Sequence, residues 1–103
     1  MKQFALYQVK KEYTRNFGFN DYVSNRKLNG AFGNSIYQLA YEGNVTDNIT
    51  IDDLYRKFNI DRPEDFIGRS MSISDVILFD GEYFYCDDFG WKNLVSFTED
   101  LVE

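Results

Sequence analysis

Hydrophobic positions along the chain follow two periods, and each period marks a set of elements. Phe4-Ala5-Leu6-Tyr7-Gln8-Val9 is a run of strand formers closed by the charged Lys10-Lys11-Glu12, which predicts a first strand. Tyr37-Gln38-Leu39-Ala40-Tyr41 alternates large and small side chains and predicts a second, with Tyr37, Leu39 and Tyr41 on one face. A polar turn region is expected over Glu42 to Asn48. Ser74 to Phe79 and Glu82 to Cys86 flank Asp80-Gly81, a two-residue link that matches a type I′ hairpin turn. That link pairs Phe79 with Glu82, Leu78 with Tyr83, Ile77 with Phe84 and Val76 with Tyr85. Val76, Leu78, Tyr83 and Tyr85 then share one face, and Ile77, Phe79 and Phe84 the other. With both faces apolar, the pair is either central and covered on both sides or open to a partner on one. A further strand is expected at Leu94 to Phe97.

The helical period appears twice. Ile51, Leu54, Tyr55 and Phe58 form an apolar stripe behind Thr50, which caps the helix with Asp53 at the capping-box distance, and Asn59 closes it. A second helix is expected from an Asn20 cap through Leu28, with Phe19, Tyr22 and Val23 on one side and Gly30 at its stop. Arg62-Pro63-Glu64-Asp65-Phe66 predicts a single helical turn ended by Gly68. These elements predict one α+β domain over residues 1–103: a small, mainly antiparallel β-sheet with a C-terminal β-hairpin and two to three short packed helices.

Composition narrows the chemistry. Hydrophobic residues make up 44% of the chain and aromatics 18%, enough for a core in 103 residues and too much for a disordered segment. The start is too short and polar for a signal peptide and no apolar run reaches membrane-spanning length, so a cytoplasmic protein without membrane contact is expected. The chain reads as free-standing from Met1 to Glu103. With no histidine and one cysteine, Cys86, the sequence excludes His-dependent catalysis, structural zinc and an internal disulfide. The net charge of −6 is uneven: residues 1–30 carry six Lys and Arg against two Asp and Glu, the remainder five against fifteen. An acidic body repels phosphates, so direct nucleic-acid binding is not expected. It is either a solvated surface or a face that docks on a basic protein groove.

Cys86 is followed by Asp87 and Asp88, which raise rather than lower a thiol's pKa, so it reads as a small buried apolar residue and no catalytic role is assigned. Asp75, Asp80, Glu82, Asp87 and Asp88 cluster around the hairpin without the spacing of a calcium loop, and no metal or cofactor is expected. With Ser72 and Ser74, Asp75 can also brace the backbone where the strand begins. Trp91, behind Gly90, is either a core anchor or an interface hot spot. The candidate partner-binding set is Asp75, Asp80, Glu82, Tyr83, Tyr85, Asp87, Asp88 and Trp91.

The order of motifs in the C-terminal half resembles the YodL-like domain. It is carried by Arg62-Pro63-Glu64-Asp65-Phe66, Ser72-Ile73-Ser74-Asp75-Val76, Asp80-Gly81 with its aromatics, and Asp88-Phe89-Gly90-Trp91. Asp53-Leu54-Tyr55-Arg56-Lys57-Phe58-Asn59, Tyr7-Gln8 and Tyr37 to Gly43 extend the likeness, and residues 10–35 match least. The resemblance implies a setting in conjugative elements and phages of Firmicutes, beside anti-restriction and conjugation proteins, with no enzymatic activity or cofactor established for the family as a whole. The expected function is a non-enzymatic protein-binding module of a mobile element that inhibits or modulates a host protein. A defence nuclease is the most concrete target, in an anti-restriction or anti-CRISPR role, with an acidic surface that imitates DNA. The expected partner is a host or element-encoded protein with a basic surface. The alternatives are a structural accessory domain of conjugation machinery or a modulator of the host cell-shape cytoskeleton.

Overall fold

The computed structural model describes residues 1–29, 33–66 and 68–94. Five strands form one sheet: β1 (Lys2–Val9), β2 (Tyr37–Val45), β3 (Val76–Phe79), β4 (Glu82–Asp87) and β5 (Gly90–Leu94). Their order is β2-β1-β3-β4-β5, and every neighbouring pair is antiparallel. Three short α-helices, α1 (Thr14–Phe17), α2 (Tyr22–Asn29) and α3 (Ile51–Ile60), complete the α+β fold.

The hairpin is as its turn chemistry demands. Asp80 and Gly81 both take left-handed φ, 50° and 86°, which a type I′ turn requires, and the four expected cross-strand pairs form. Both apolar faces are covered. Val76 and Tyr85 join Val9, Ile36 and Tyr37 in one cluster, to which Phe17 and Tyr22 add from the α1 and α2 side. Ile77 joins Phe4, Leu6, Leu54, Phe58 and Met71 in the other, under α3. α3 begins with the expected capping box: the Asp53 N–H donates to Thr50 Oγ1 at 3.2 Å and the Thr50 N–H to Asp53 Oδ2 at 2.9 Å.

Several boundaries differ from the sequence reading. β2 continues to Val45 through the expected polar turn, because pairing with Lys2 to Leu6 satisfies the backbone that a turn would leave free. The cap of α2 is Asp21, whose Oδ1 accepts from the Ser24 N–H at 3.0 Å, and the only buried side chain of this helix is Asn25 rather than an apolar stripe. Val23 and Leu28 lie 60% and 72% exposed. Residues 62–66 make a β-turn instead of a helical turn, the Phe66 N–H donating to Pro63 O at 3.0 Å. β3 starts at Val76, since Ser74 takes a φ of 89° that no strand residue adopts. The last strand is Gly90–Leu94, earlier than expected, while Gly30 and Val95 to Phe97 lie outside the described residues. No helix among the described residues is long and apolar enough to cross a membrane.

Candidate functional site: an acidic and aromatic cleft

The eight candidate residues do not form one patch, because strand geometry separates them. Asp80 and Glu82 lie at one end of β4 and Asp87 and Asp88 at the other, five residues or about 16 Å apart at roughly 3.3 Å per residue. Asp75 and Tyr85 are each 0% exposed, so neither can touch a partner. Tyr83 is half-buried beside Tyr7, with ring centroids 6.4 Å apart.

Asp75 is instead the centre of an internal bridge. Its Oδ2 accepts from Gln8 Nε2 at 3.1 Å and from the Ser72 N–H at 3.0 Å, and its Oδ1 from Arg69 Nη2 at 3.1 Å. Burial pushes the carboxyl up to about 6, while the Ser72 N–H, Arg69 and Gln8 pull it back. The expected bracing role of Asp75 is confirmed, and Ser74 shares it: its Oγ accepts from the Phe19 N–H at 3.0 Å and its carbonyl from the Tyr37 hydroxyl at 2.6 Å. Tyr85 is equally structural, its hydroxyl donating to Asn20 O at 2.7 Å and accepting from Asn25 Nδ2 at 2.7 Å.

Asp87, Asp88 and Trp91 meet residues from a distant element to line a cleft of about 300 Å³. Asp87 and Asp88 stand where β4 turns into β5, and Gly90, with φ 83°, makes that reversal possible. Trp91 pairs across the strands with Cys86, so both side chains project toward α3. The first two turns of α3 supply Asp52 and Tyr55 as the facing wall, and Ile73 closes a side. The indole N–H of Trp91 donates to Asp52 Oδ1 at 3.0 Å, and the rings of Trp91 and Tyr55 meet edge to face at 6.0 Å and 81°. Trp91 thus serves both as an anchor on the α3 side and as a cleft wall.

The cleft is electrostatically one-sided. Asp52, Asp87 and Asp88 contribute carboxylates, and no lysine or arginine among the described residues lines it. Cys86, at its floor, has its thiol pushed up to about 12, first by burial and then by the negative charge of Asp75, Asp87 and Asp52. Burial and the surrounding carboxylates thus favour the protonated thiol over the thiolate at neutral pH. Asp87 is tied down, its Oδ1 accepting from the Tyr22 N–H and the Asp88 N–H, both at 3.1 Å. Asp21 approaches from α2, so that Asp21, Asp87 and Asp88 offer carboxylate oxygens within 4.8 Å of one another. Phe89, at the tip of the turn, is 94% exposed.

Sequence reasoning missed Asp52, Tyr55 and Phe89. The first two were legible only as helix-dipole and core positions, because nothing local shows which strand end α3 will face. Phe89 carried a signal in the turn Asp88-Phe89-Gly90, where the middle residue of a tight reversal points outward.

The family model of the YodL-like domain matches residues 3–97. The chain belongs to that family. No curated protein and no solved structure matches it.

Proposed function

We propose that this YodL-like domain is a non-enzymatic module of a mobile element that docks its cleft end on a basic surface of another protein, inhibiting or modulating that protein. A host defence nuclease, whose substrate groove is basic, is the target class that this chemistry suits best. The observation that carries the reading is the convergence of Asp52, Asp87 and Asp88 around Trp91 with no cation among the described residues that line the cleft. Opposite charge at such a rim speeds association, and a desolvated aromatic prolongs the complex. The protonated, buried Cys86 supports a binding role over a catalytic one.

The separation of the two acidic ends supplies the test. A partner is captured from host lysate, identified by mass spectrometry, purified, and its binding followed at several salt concentrations. Asp52→Asn with Asp88→Asn should slow association several-fold and flatten its salt dependence, while Asp80→Asn with Glu82→Gln should leave both nearly unchanged. Equal effects of the two pairs would reduce the acids to general surface charge, and an effect of the second pair alone would move the interface to the opposite end of the sheet.

A further inference from the structure

We propose that the cleft is a receptor for one arginine side chain of the partner, whose guanidinium lies against the Trp91 and Tyr55 rings and donates to the carboxylates of Asp52 and Asp88. This rests on the protein-binding reading above and names the group that the site selects.

Size argues first. At about 300 Å³ the cleft is at the lower limit of small-molecule sites, so it suits the head of one side chain rather than a cofactor or an extended strand. The second argument is that the cleft combines two features a cation needs at once, aromatic rings and carboxylates, in the lining of the same hollow. A third comes from three of the chain's own cations on neighbouring elements, which are engaged elsewhere. Arg56 lies 3.5 Å from Asp53, Arg69 bonds Asp75 at 3.1 Å, and Lys92 sits over the Tyr22 ring on the other side of the sheet at 5.1 Å. The Asp88 carboxylate makes no hydrogen bond or ion pair among the described residues.

The shape of the wall selects guanidinium over ammonium. Bonding to Asp52 Oδ1 fixes the Trp91 ring and leaves Oδ2 of the same carboxylate to accept an incoming donor. A planar guanidinium can stack on a ring and still aim in-plane N–H groups at two carboxylates, whereas an ammonium is a compact, strongly hydrated point charge that gains less from either contact. Phe89, exposed at the lip, offers an apolar contact to residues flanking the arginine.

Trp91 is the only tryptophan of the chain, so its fluorescence reports the cleft directly. The full-length protein is titrated with short neutral-flanked peptides that differ at one position: arginine, lysine or the uncharged arginine isostere citrulline. A saturable change in Trp91 emission is expected with the arginine peptide, several-fold weaker binding with lysine, and no saturation with citrulline. Asp52→Asn, which keeps a carbonyl acceptor for the Trp91 N–H, and Asp88→Asn should each weaken arginine binding several-fold with circular dichroism unchanged. Equal responses to arginine and lysine, a saturable response to citrulline, or arginine binding unaltered in the double variant would overturn the proposal. A tighter response to spermidine than to the arginine peptide would overturn it too, by assigning the cleft to a free polyamine. If the arginine peptide gives no response while the double variant still slows capture of the partner, this inference fails and the docking function stands; if neither is affected, both fail.

Discussion

Helices α2 and α3 lie on opposite faces of the same sheet and are held there by different chemistry. α3 buries Leu54 and Phe58, and the Phe58 ring meets those of Phe4, Tyr41 and Phe66 at 5.9, 5.4 and 5.1 Å. α2 turns Val23 and Leu28 to the outside and buries an asparagine. Asn25 Nδ2 donates to Phe17 O at 2.9 Å and to the Tyr85 hydroxyl at 2.7 Å, while its Oδ1 accepts from Asn20 at 3.0 Å and Asn29 at 3.2 Å. Tyr22 of α2 meets Tyr85 of the sheet edge to face at 5.2 Å. Apolar periodicity therefore finds a helix docked by burial and misreads one docked by a polar network. An asparagine in such a network is as buried as a leucine, provided that every one of its donors and acceptors is met.

The difference predicts a graded set of responses. Phe58→Ala should cost about 3–5 kcal/mol, the range for deleting a fully buried ring, seen as a large fall in the denaturant midpoint at constant m-value. A loss below about 1 kcal/mol would show that α3 is not held by its ring cluster. Asn25→Ala should cost about 1–3 kcal/mol by leaving the Phe17 carbonyl and the Tyr85 hydroxyl short of a partner. Asn25→Leu, the change that an amphipathic helix would welcome, should destabilise as well, and a gain in stability would sink the polar account of α2.

The polar bridge of Gln8, Arg69 and Asp75 should carry a pH signature of its own. Burial raises the Asp75 carboxyl from 3.8 to about 6, so the protonated form is favoured by the folded state. The stability it contributes is complete below 3.8 and lost as pH rises through about 6. Wild type should lose stability relative to Asp75→Asn across that window, with a constant difference above it. Parallel melting curves at every pH would contradict this. The smallest effect belongs to the exposed apolar residues of α2: Val23→Ser and Leu28→Gln should each change stability by no more than about 0.5 kcal/mol. A larger loss in either variant would mean that these side chains are covered in solution and that α2 is not free on its outer face.

What the sequence determined by itself is local. Asp80-Gly81 set the β3–β4 register, since the backbone twist of a two-residue link leaves one pairing, and Thr50 with Asp53 set the start of α3 over a stripe whose spacing made it amphipathic. The alternation along β4 likewise assigned Tyr85 and Phe84 to opposite faces, and both faces proved covered. Only the tertiary structure decided which acids work together. Asp75 went into the interior because Gln8 of β1 and Arg69 were brought to it, Asp80 and Glu82 were carried to the far end of the sheet, and Asp52 and Tyr55 arrived beside Asp88 and Trp91 from another element. The physical reason is that periodicity encodes the face on which a side chain lies and says nothing of its neighbour across the fold. That neighbour depends on strand order and on where a helix crosses the sheet, and both are settled by packing between residues far apart in the chain.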